Sequence, residues 1–242
     1  MKAMCNREAL LAAFQTAGSV APARSPKPIL QNVKMIAKGN AATLMTTDLE
    51  LGIRVEVADI EVEDEGELIL PISRFGSILR ETTDEKILLE TTGTQILVRG
   101  DRSEFKLTAE DPAEFPQVAE FDAKSFHEIP ARLLKELIRR TVFATDNESS
   151  RYALGGVLLE MTEKEIIAVG TDGRRLATMK GPANAVEGHS TVENATIVPS
   201  KAMSLIERSL SDADAEVQIS VQPNGILIKS PRTTIYSRLV EG

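Results

Sequence analysis

One sequence pattern occurs twice along this chain of 242 residues, and this repeat limits the possible folds more than any other feature. In the first half, a Thr-Asp pair ending at Asp48 is followed by an Ile-Leu-Pro step ending at Pro71. In the second half, a Thr-Asp pair ending at Asp172 is followed by an Ile-Val-Pro step ending at Pro199. The order and the residue character are the same in both copies. A repeat of this length predicts two structural units with one architecture.

The repeat also carries a common series of helix and strand signals. Four segments have apolar residues at helical spacing, two in each half: Glu8–Ala17, Ile72–Arg80, Ala131–Val142 and Ser200–Leu210. The remainder of each half consists of roughly eight short runs rich in strand-forming residues, separated by turn signals. This pattern predicts an α+β fold in which each of two repeated domains places two helices on one face of antiparallel sheets. We expect the domains to comprise residues 1–122 and 123–242.

The composition supports two aliphatic cores in a protein of a reducing compartment. Hydrophobic residues make up 42% of the chain, but aromatic residues only 4%, and there is no Trp. A single cysteine, Cys5, excludes an internal disulfide, as is common in the cytosol. No apolar run approaches the roughly 20 residues of a membrane span, and no signal peptide begins the chain. We therefore expect a cytoplasmic protein with no membrane contact.

Basic side chains recur in the predicted helices although the net charge is −8. This concentration of basic side chains in the helices leaves two interpretations open. They form either an ordinary solvated helix face or a surface that contacts DNA phosphates without reading nucleobases. Two further bases, Arg24 and Lys27, precede Pro28 in a Pro-rich loop. The bases of the helical segments are Arg7, Arg74, Arg80, Arg132, Lys135, Arg139, Arg140, Lys201 and Arg208.

The Thr-Asp pair of the second half invites a catalytic interpretation, because Asp172 is followed by Gly173, Arg174 and Arg175. An Asp beside two arginines could hold a phosphate or a metal ion. The first copy lacks the glycine and the arginines around Asp48, which favours a turn in which the Asp carboxylate accepts bonds from local backbone amides. The sequence shows no metal-ligand cluster and no phosphate-binding glycine loop. The two histidines, at positions 127 and 189, have no motif around them and are expected at the surface.

Six short motifs occur together and in order: Pro28–Val33, Thr46–Glu50, Ile69–Pro71, Ala113–Pro116, Gly156–Leu159 and Thr171–Ala177. In this set the chain resembles the bacterial sliding clamps, the β subunits of DNA polymerase III. The resemblance implies a non-catalytic processivity factor without a cofactor. Its subunit has three similar domains, of which this chain supplies the N-terminal and middle ones, and two subunits form a closed ring around double-stranded DNA of any sequence.

The resemblance also implies three groups of site residues. It assigns DNA contact to loop residues Arg24, Arg151 and Tyr152, which join the helical bases Arg74, Arg80, Arg132, Lys135, Arg139 and Lys201. It implies a cleft that receives short hydrophobic peptides of the polymerase catalytic subunit and the clamp loader, formed by Leu154, Thr171, Gly173, Arg174, Arg175 and Leu176. It implies a homodimer interface that includes Arg74, Ile78, Phe105 and Leu107.

Two alternatives to this interpretation stay open at the level of sequence. One is a two-domain clamp that closes as a trimer through heterologous contacts. The other is an enzyme that uses Asp172 with Arg174 or Arg175.

Overall fold

The computed structural model describes residues 1–146, 152–191 and 195–240. It divides into two compact units, Met1–Val118 and Ala119–Gly242. The domain border expected between residues 122 and 123 stays a prediction. None of the helices in the described part of the chain is long and apolar enough to cross a membrane.

The first unit has two helices and nine strands, all within its described residues. The helices are α1 (Arg7–Gly18) and α2 (Ile72–Glu81). Strands β5, β1, β7, β8 and β9 form one antiparallel sheet in that order, and β4, β3, β2 and β6 are hydrogen-bonded in a second run. The strands are β1 (Lys2–Asn6), β2 (Asn32–Lys38), β3 (Ala41–Thr47), β4 (Leu51–Val57), β5 (Ile60–Asp64), β6 (Gly66–Pro71), β7 (Lys86–Thr92), β8 (Gln95–Arg99) and β9 (Glu104–Thr108).

The second unit repeats this architecture over the residues that the structure describes. Its helices are α3 (Ala131–Arg139) and α4 (Ser200–Ser209). Strands β14, β10, β16, β17 and β18 follow one another in one sheet, and β13, β12, β11 and β15 in the other. The strands are β10 (Phe126–Pro130), β11 (Gly156–Met161), β12 (Glu165–Thr171), β13 (Leu176–Pro182), β14 (Asn184–Val186), β15 (Thr196–Pro199), β16 (Glu216–Gln222), β17 (Gly225–Ser230) and β18 (Thr233–Arg238).

Each element of the first unit has a counterpart at the same place in the second. Both units run strand, helix, five strands, helix and three strands, and the strand order within the sheets is the same. The α+β fold predicted from the repeated sequence is therefore confirmed. Two local predictions need revision: each described unit has nine strands rather than about eight, and α3 ends at Arg139 rather than continuing to residue 142.

The helices form where apolar residues share one face. In α1, Leu10, Ala13, Phe14 and Ala17 are buried and recur at intervals of three and four residues. The Asn6 side chain caps this helix by accepting a bond from the Ala9 amide at 3.0 Å. Because α1 contacts β1 to β4 and α2 contacts β6, the apolar faces of both helices lie against sheet.

The cores are aliphatic, as the composition predicts, with few aromatic side chains. Phe75 of α2 is fully buried, and its ring meets the ring of Phe14 edge-on, with 5.0 Å between centroids. The expectation of two surface histidines is wrong. His127 is 0% exposed on β10 and His189 is 7% exposed, and their Nδ1 atoms lie 2.6 Å apart.

Candidate partner-binding site and basic helix surface

The two Thr-Asp pairs form the same hydrogen-bonded turn in both units. In the second unit, the Asp172 carboxylate accepts from the amides of Arg174 and Arg175, both at 2.9 Å. The Thr171 hydroxyl accepts from the Gly173 amide at 3.0 Å and donates to the Arg175 carbonyl at 2.7 Å. These backbone bonds are the main cause that lowers the pKa of the Asp172 carboxyl below its usual range.

The turn of the first unit repeats these four bonds. The Asp48 carboxylate accepts from the amides of Glu50 at 3.0 Å and Leu51 at 2.7 Å. The Thr47 hydroxyl accepts from the Leu49 amide at 2.9 Å and donates to the Leu51 carbonyl at 2.6 Å. Because the two turns have the same hydrogen bonds, Asp172 is explained as a turn residue. Its carboxylate accepts from backbone amides, as Asp48 does in the first unit, where the turn has no arginines.

An exposed apolar pair lies beside the turn of the second unit. Phe143 is 58% exposed and Leu176 is 66% exposed. Arg175 joins them, because it directly precedes Leu176, donates to the Phe143 carbonyl at 2.9 Å and places its guanidinium 5.7 Å from the centre of the Phe143 ring. We call Phe143, Arg175 and Leu176 the Phe143 patch. Exposed large apolar residues on neighbouring segments are typical of interaction surfaces.

The Phe143 patch extends toward Leu154 through one short segment. A 3₁₀ turn, Val142–Ala144, contacts β12, which leads into the Thr171 turn. Two residues after this 3₁₀ turn, the Asp146 amide donates to the Leu154 carbonyl at 2.8 Å. Leu154 itself is half-buried. Backbone contacts thus bring both parts of the predicted cleft, Leu154 and the Thr171 turn, close to a third segment that the sequence did not indicate.

Phe143 is the residue of this site that the sequence interpretation missed. It comes directly after the segment with helical apolar spacing, and a Phe in that position is normally predicted to be a core residue. Exposure of more than half its surface shows that it is not part of the core. The remaining predicted cleft residues lie around the same turn, with Gly173 and Arg174 exposed and Thr171 half-buried.

The predicted DNA-contacting bases are mostly exposed in their own units. Arg74 and Arg80 project from α2, Arg132 and Arg139 from α3, and Lys201 from α4, while Arg24 lies in the loop after α1. Arg151 is outside the described residues. Tyr152 begins a 3₁₀ turn, Tyr152–Gly155.

Two bases of α3 have partners that the sequence did not indicate. The Lys135 ammonium donates to the Leu210 carbonyl at 2.8 Å, at the end of α4. The Arg139 guanidinium donates to Glu207 of α4 at 2.6 Å, and this bond raises the pKa of Arg139 above its ordinary value. Both contacts fasten α3 to α4, so these bases contribute to the packing of the helix pair.

The predicted interface residues occupy α2 and β9 of the first unit. Strand β9 is at one end of the five-stranded sheet, and its Phe105 is 38% exposed. Leu107 lies on the same face of β9, two residues on, and is buried with 6% of its surface exposed. Ile78 of α2 is half-buried. An edge strand with an exposed aromatic residue is a common site of strand addition.

Comparison with known proteins identifies the family. Residues 1–119 match the N-terminal domain of the DNA polymerase III beta subunit, and residues 128–242 match its central domain. The beta sliding clamp of Pseudomonas putida is 31% identical, and the match covers 98% of this chain and 64% of that protein. The beta sliding clamp of Escherichia coli K12 is 30% identical, covering 100% of this chain and 65% of that protein.

The fold agrees with the sequence match. The crystal structure of the DNA polymerase III beta subunit from Pseudomonas aeruginosa superposes with a TM-score of 0.91 at 31% identity, over 100% of this chain and 65% of that one. The chain therefore belongs to the DNA polymerase III beta subunit family. It spans about two thirds of the length of these relatives, 64% in the case of Pseudomonas putida.

Proposed function

We propose that this protein is a DNA sliding clamp, a non-catalytic processivity factor of the replicative polymerase that acts in the cytoplasm. The observation that carries the proposal is the recurrence of one unit, in which helices with exposed arginines pack on sheet. Arg74 and Arg80 lie on α2 of the first unit, and Arg132 lies on α3 of the second. Repetition of such units supplies several helices whose bases can contact phosphates of any DNA sequence.

The charge distribution favours sliding over tight binding. The chain as a whole carries a net charge of −8, which repels DNA from surfaces without bases. Individual phosphate contacts are weak and sensitive to salt. A ring that holds DNA by enclosing it needs no high affinity at any one position, and weak contacts let it move along the duplex.

The ring itself is proposed as a homodimer of three-domain subunits. The relatives are longer than this chain by a segment that leaves room for a third domain, since the chain spans 65% of the Escherichia coli protein. Strand β9, with exposed Phe105 at the edge of its sheet, offers backbone groups for pairing with a neighbouring subunit. Arg74 and Ile78 on α2, together with Leu107, complete this proposed interface.

The Phe143 patch is the proposed anchor for the polymerase and the clamp loader. A short hydrophobic peptide would cover Leu176 and the ring of Phe143, with Thr171, Gly173 and Arg174 at the rim of the site and Leu154 beside it. Linear peptides that bind apolar grooves in this way use a few side-chain anchors. The turn role of Asp172 supports a binding site here over a catalytic one.

Retention on DNA of different topology tests the ring. The complete gene product is loaded on a nicked circular plasmid, and half of the sample is then linearised by one restriction cut. We expect the clamp to stay on the nicked circle and to leave the linear molecule of the same length. Equal retention on both would contradict encirclement.

Molar mass in solution separates the dimer from the trimer. Light scattering of the complete gene product should give the mass of two subunits. A stable trimer of a two-domain chain would support the alternative clamp, which also has six domains in its ring.

A further inference from the structure

The buried histidine pair of the second unit belongs to none of the sites described above. His127 lies on β10, and His189 follows β14, the three-residue edge strand that pairs with β10. The two imidazoles meet edge to face with 4.8 Å between ring centres. The Nδ1–Nδ1 distance of 2.6 Å requires that one nitrogen donate a proton and the other accept it.

The outer nitrogens of the pair decide which ring is the donor. His127 Nε2 lies 2.6 Å from the Thr162 carbonyl oxygen, which can only accept, so His127 carries its proton on Nε2. His189 Nε2 accepts from the Val221 amide at 3.0 Å, so His189 carries its proton on Nδ1. His189 Nδ1–H therefore donates to the bare Nδ1 of His127, and both rings are neutral.

An additional proton has no place in this arrangement. A proton on Nδ1 of His127 would direct two N–H groups at each other. A proton on Nε2 of His189 would break the bond from the Val221 amide. Burial lowers the pKa of both imidazoles, and the proximity of the two rings lowers the pKa of His189 further. Both effects favour the neutral form of the pair.

No neighbouring carboxylate compensates for a charge on the pair within the described residues. The charge that acts on the His189 ring comes from His127. The segments that meet at the pair do carry charged side chains: Glu128 on β10, Glu163 and Lys164 in the turn after β11, Glu187 after β14 and Glu216 at the start of β16. Of these, Glu128 accepts a bond from Gln218 at 3.3 Å.

We propose that His127 and His189 form a proton-sensitive clasp that holds residues 187–189 against the second unit at neutral pH and releases them when the pair gains a proton. These residues follow β14, the outer edge strand of its sheet, whose residues 184–186 are fastened by the ladder with β10. Ser190 and Thr191 also bond to Met161 through their hydroxyls. The Ala185 amide donates to the Glu163 carbonyl, and the Thr191 amide donates to the Met161 carbonyl, both at 3.1 Å. The clasp lies between these two fastened ends, and loss of the Val221 bond and of the ring–ring bond removes the attachments of the His189 side chain.

The first unit provides an internal control, because the clasp is absent from the equivalent place. Ala3 of β1 pairs with Val62 of β5, as His127 pairs with Ala185 of β14. The equivalent strands have the same burial pattern at these positions, but Ala3 cannot titrate. Acidification over the range of the clasp should therefore leave strand β5 unchanged.

The sign of the effect follows from the lowered pKa values. The unfolded chain takes up protons near the ordinary histidine pKa of about 6.5, whereas the folded pair resists them. Stability is thus fully present above about pH 6.5 and falls as the pH falls below it. The unfolding equilibrium constant of the clasp should rise by up to tenfold per pH unit for each histidine.

Imidazole ¹⁵N spectra of the intact chain, without a histidine tag, test the clasp directly, since the protein has two histidines. At pH 7.5 we expect one ring protonated on Nδ1 and the other on Nε2, both neutral and both still neutral at pH 6. A charged ring at pH 7.5, or the same tautomer for both rings, would overturn the proposal.

Amide hydrogen exchange between pH 7.5 and 5, corrected for intrinsic rates, tests the release. Val221 and residues 187–189 should lose protection as the pH falls, while residues 60–64 of β5 keep theirs. In the double variant His127→Asn, His189→Gln this pH dependence should disappear. Unchanged protection of the segment in the wild type down to pH 5 refutes the clasp even if the variant does not fold.

Discussion

Shortening Leu176 to Ala tests the Phe143 patch as a peptide anchor. Complete burial of a Leu side chain contributes about 1.5–3 kcal/mol, and Leu176 has 66% of its surface to lose. Two thirds of that range is about 1–2 kcal/mol, and the methyl group that Ala retains reduces the expected loss to about 1–1.5 kcal/mol. Leu176→Ala should therefore weaken peptide affinity by about 5- to 12-fold.

Fluorescence anisotropy with a labelled hydrophobic peptide of the polymerase catalytic subunit measures this Kd. The matched control is Leu49→Ala, because Leu49 is 46% exposed in the equivalent Thr-Asp turn of the first unit. The backbone bonds of the Thr171 turn do not involve the Leu176 side chain, so the fold should be retained. An unchanged Kd for Leu176→Ala, or an equal loss for Leu49→Ala, would show that the peptide does not use this patch.

Three further predictions concern the core, the DNA surface and the buried thiol. Phe75→Ala should lower the unfolding free energy of the first unit by about 3–5 kcal/mol in urea denaturation, whereas Phe105→Ala should cost the monomer less than about 1 kcal/mol; similar losses would contradict the assigned core. Arg132→Ala should reduce the slope of log affinity against log salt for DNA by about 0.9, while Lys38→Ala, at the end of β2, should not change it. Burial raises the pKa of the Cys5 thiol to about 12, so a disulfide reagent at pH 8 should modify it only at the rate of unfolding; rapid modification of the native protein would be inconsistent with its burial.

The repeated topology could be predicted because periodicity and turn signals agree in both copies. The first strand of each unit, β1 and β10, could not be predicted in this way. In β1 and β10 only two alternating residues are buried, Ala3 with Cys5 and His127 with Ile129. Five-residue strands with a small residue or a histidine at an inward position give too weak an alternation to be recognised.

The end of α3 illustrates a second limit. Apolar residues continue past Arg139 at spacings that suit a helix, but Thr141 donates its hydroxyl to the Leu137 carbonyl at 2.6 Å and the chain tightens into the 3₁₀ turn Val142–Ala144. Phe143 lies in this 3₁₀ turn and is 58% exposed. The sequence pattern cannot distinguish the two outcomes, because they differ in local hydrogen bonding rather than in apolar spacing.

Contacts between residues far apart in the sequence are a third feature that cannot be predicted from one sequence. The Arg139–Glu207 pair and the His127–His189 pair join residues 68 and 62 positions apart. Neither pair belongs to a motif, so the sequence predicts the bases of α3 as solvated or DNA-contacting residues and the histidines as surface residues. Only the packing of the second unit shows which side chains meet.

The twin Thr-Asp turns indicate how a duplicated gene segment can acquire a new task. Both turns place their third residue in the left-handed region, Leu49 at φ 80° and Gly173 at φ 83°, although Leu is poorly suited to that conformation. The loop path is thus set by the Thr and Asp side chains and not by the residues between them. Evolution could then replace those intervening residues in one copy, and with them the chemistry displayed to a partner, while the ancestral backbone stayed in place.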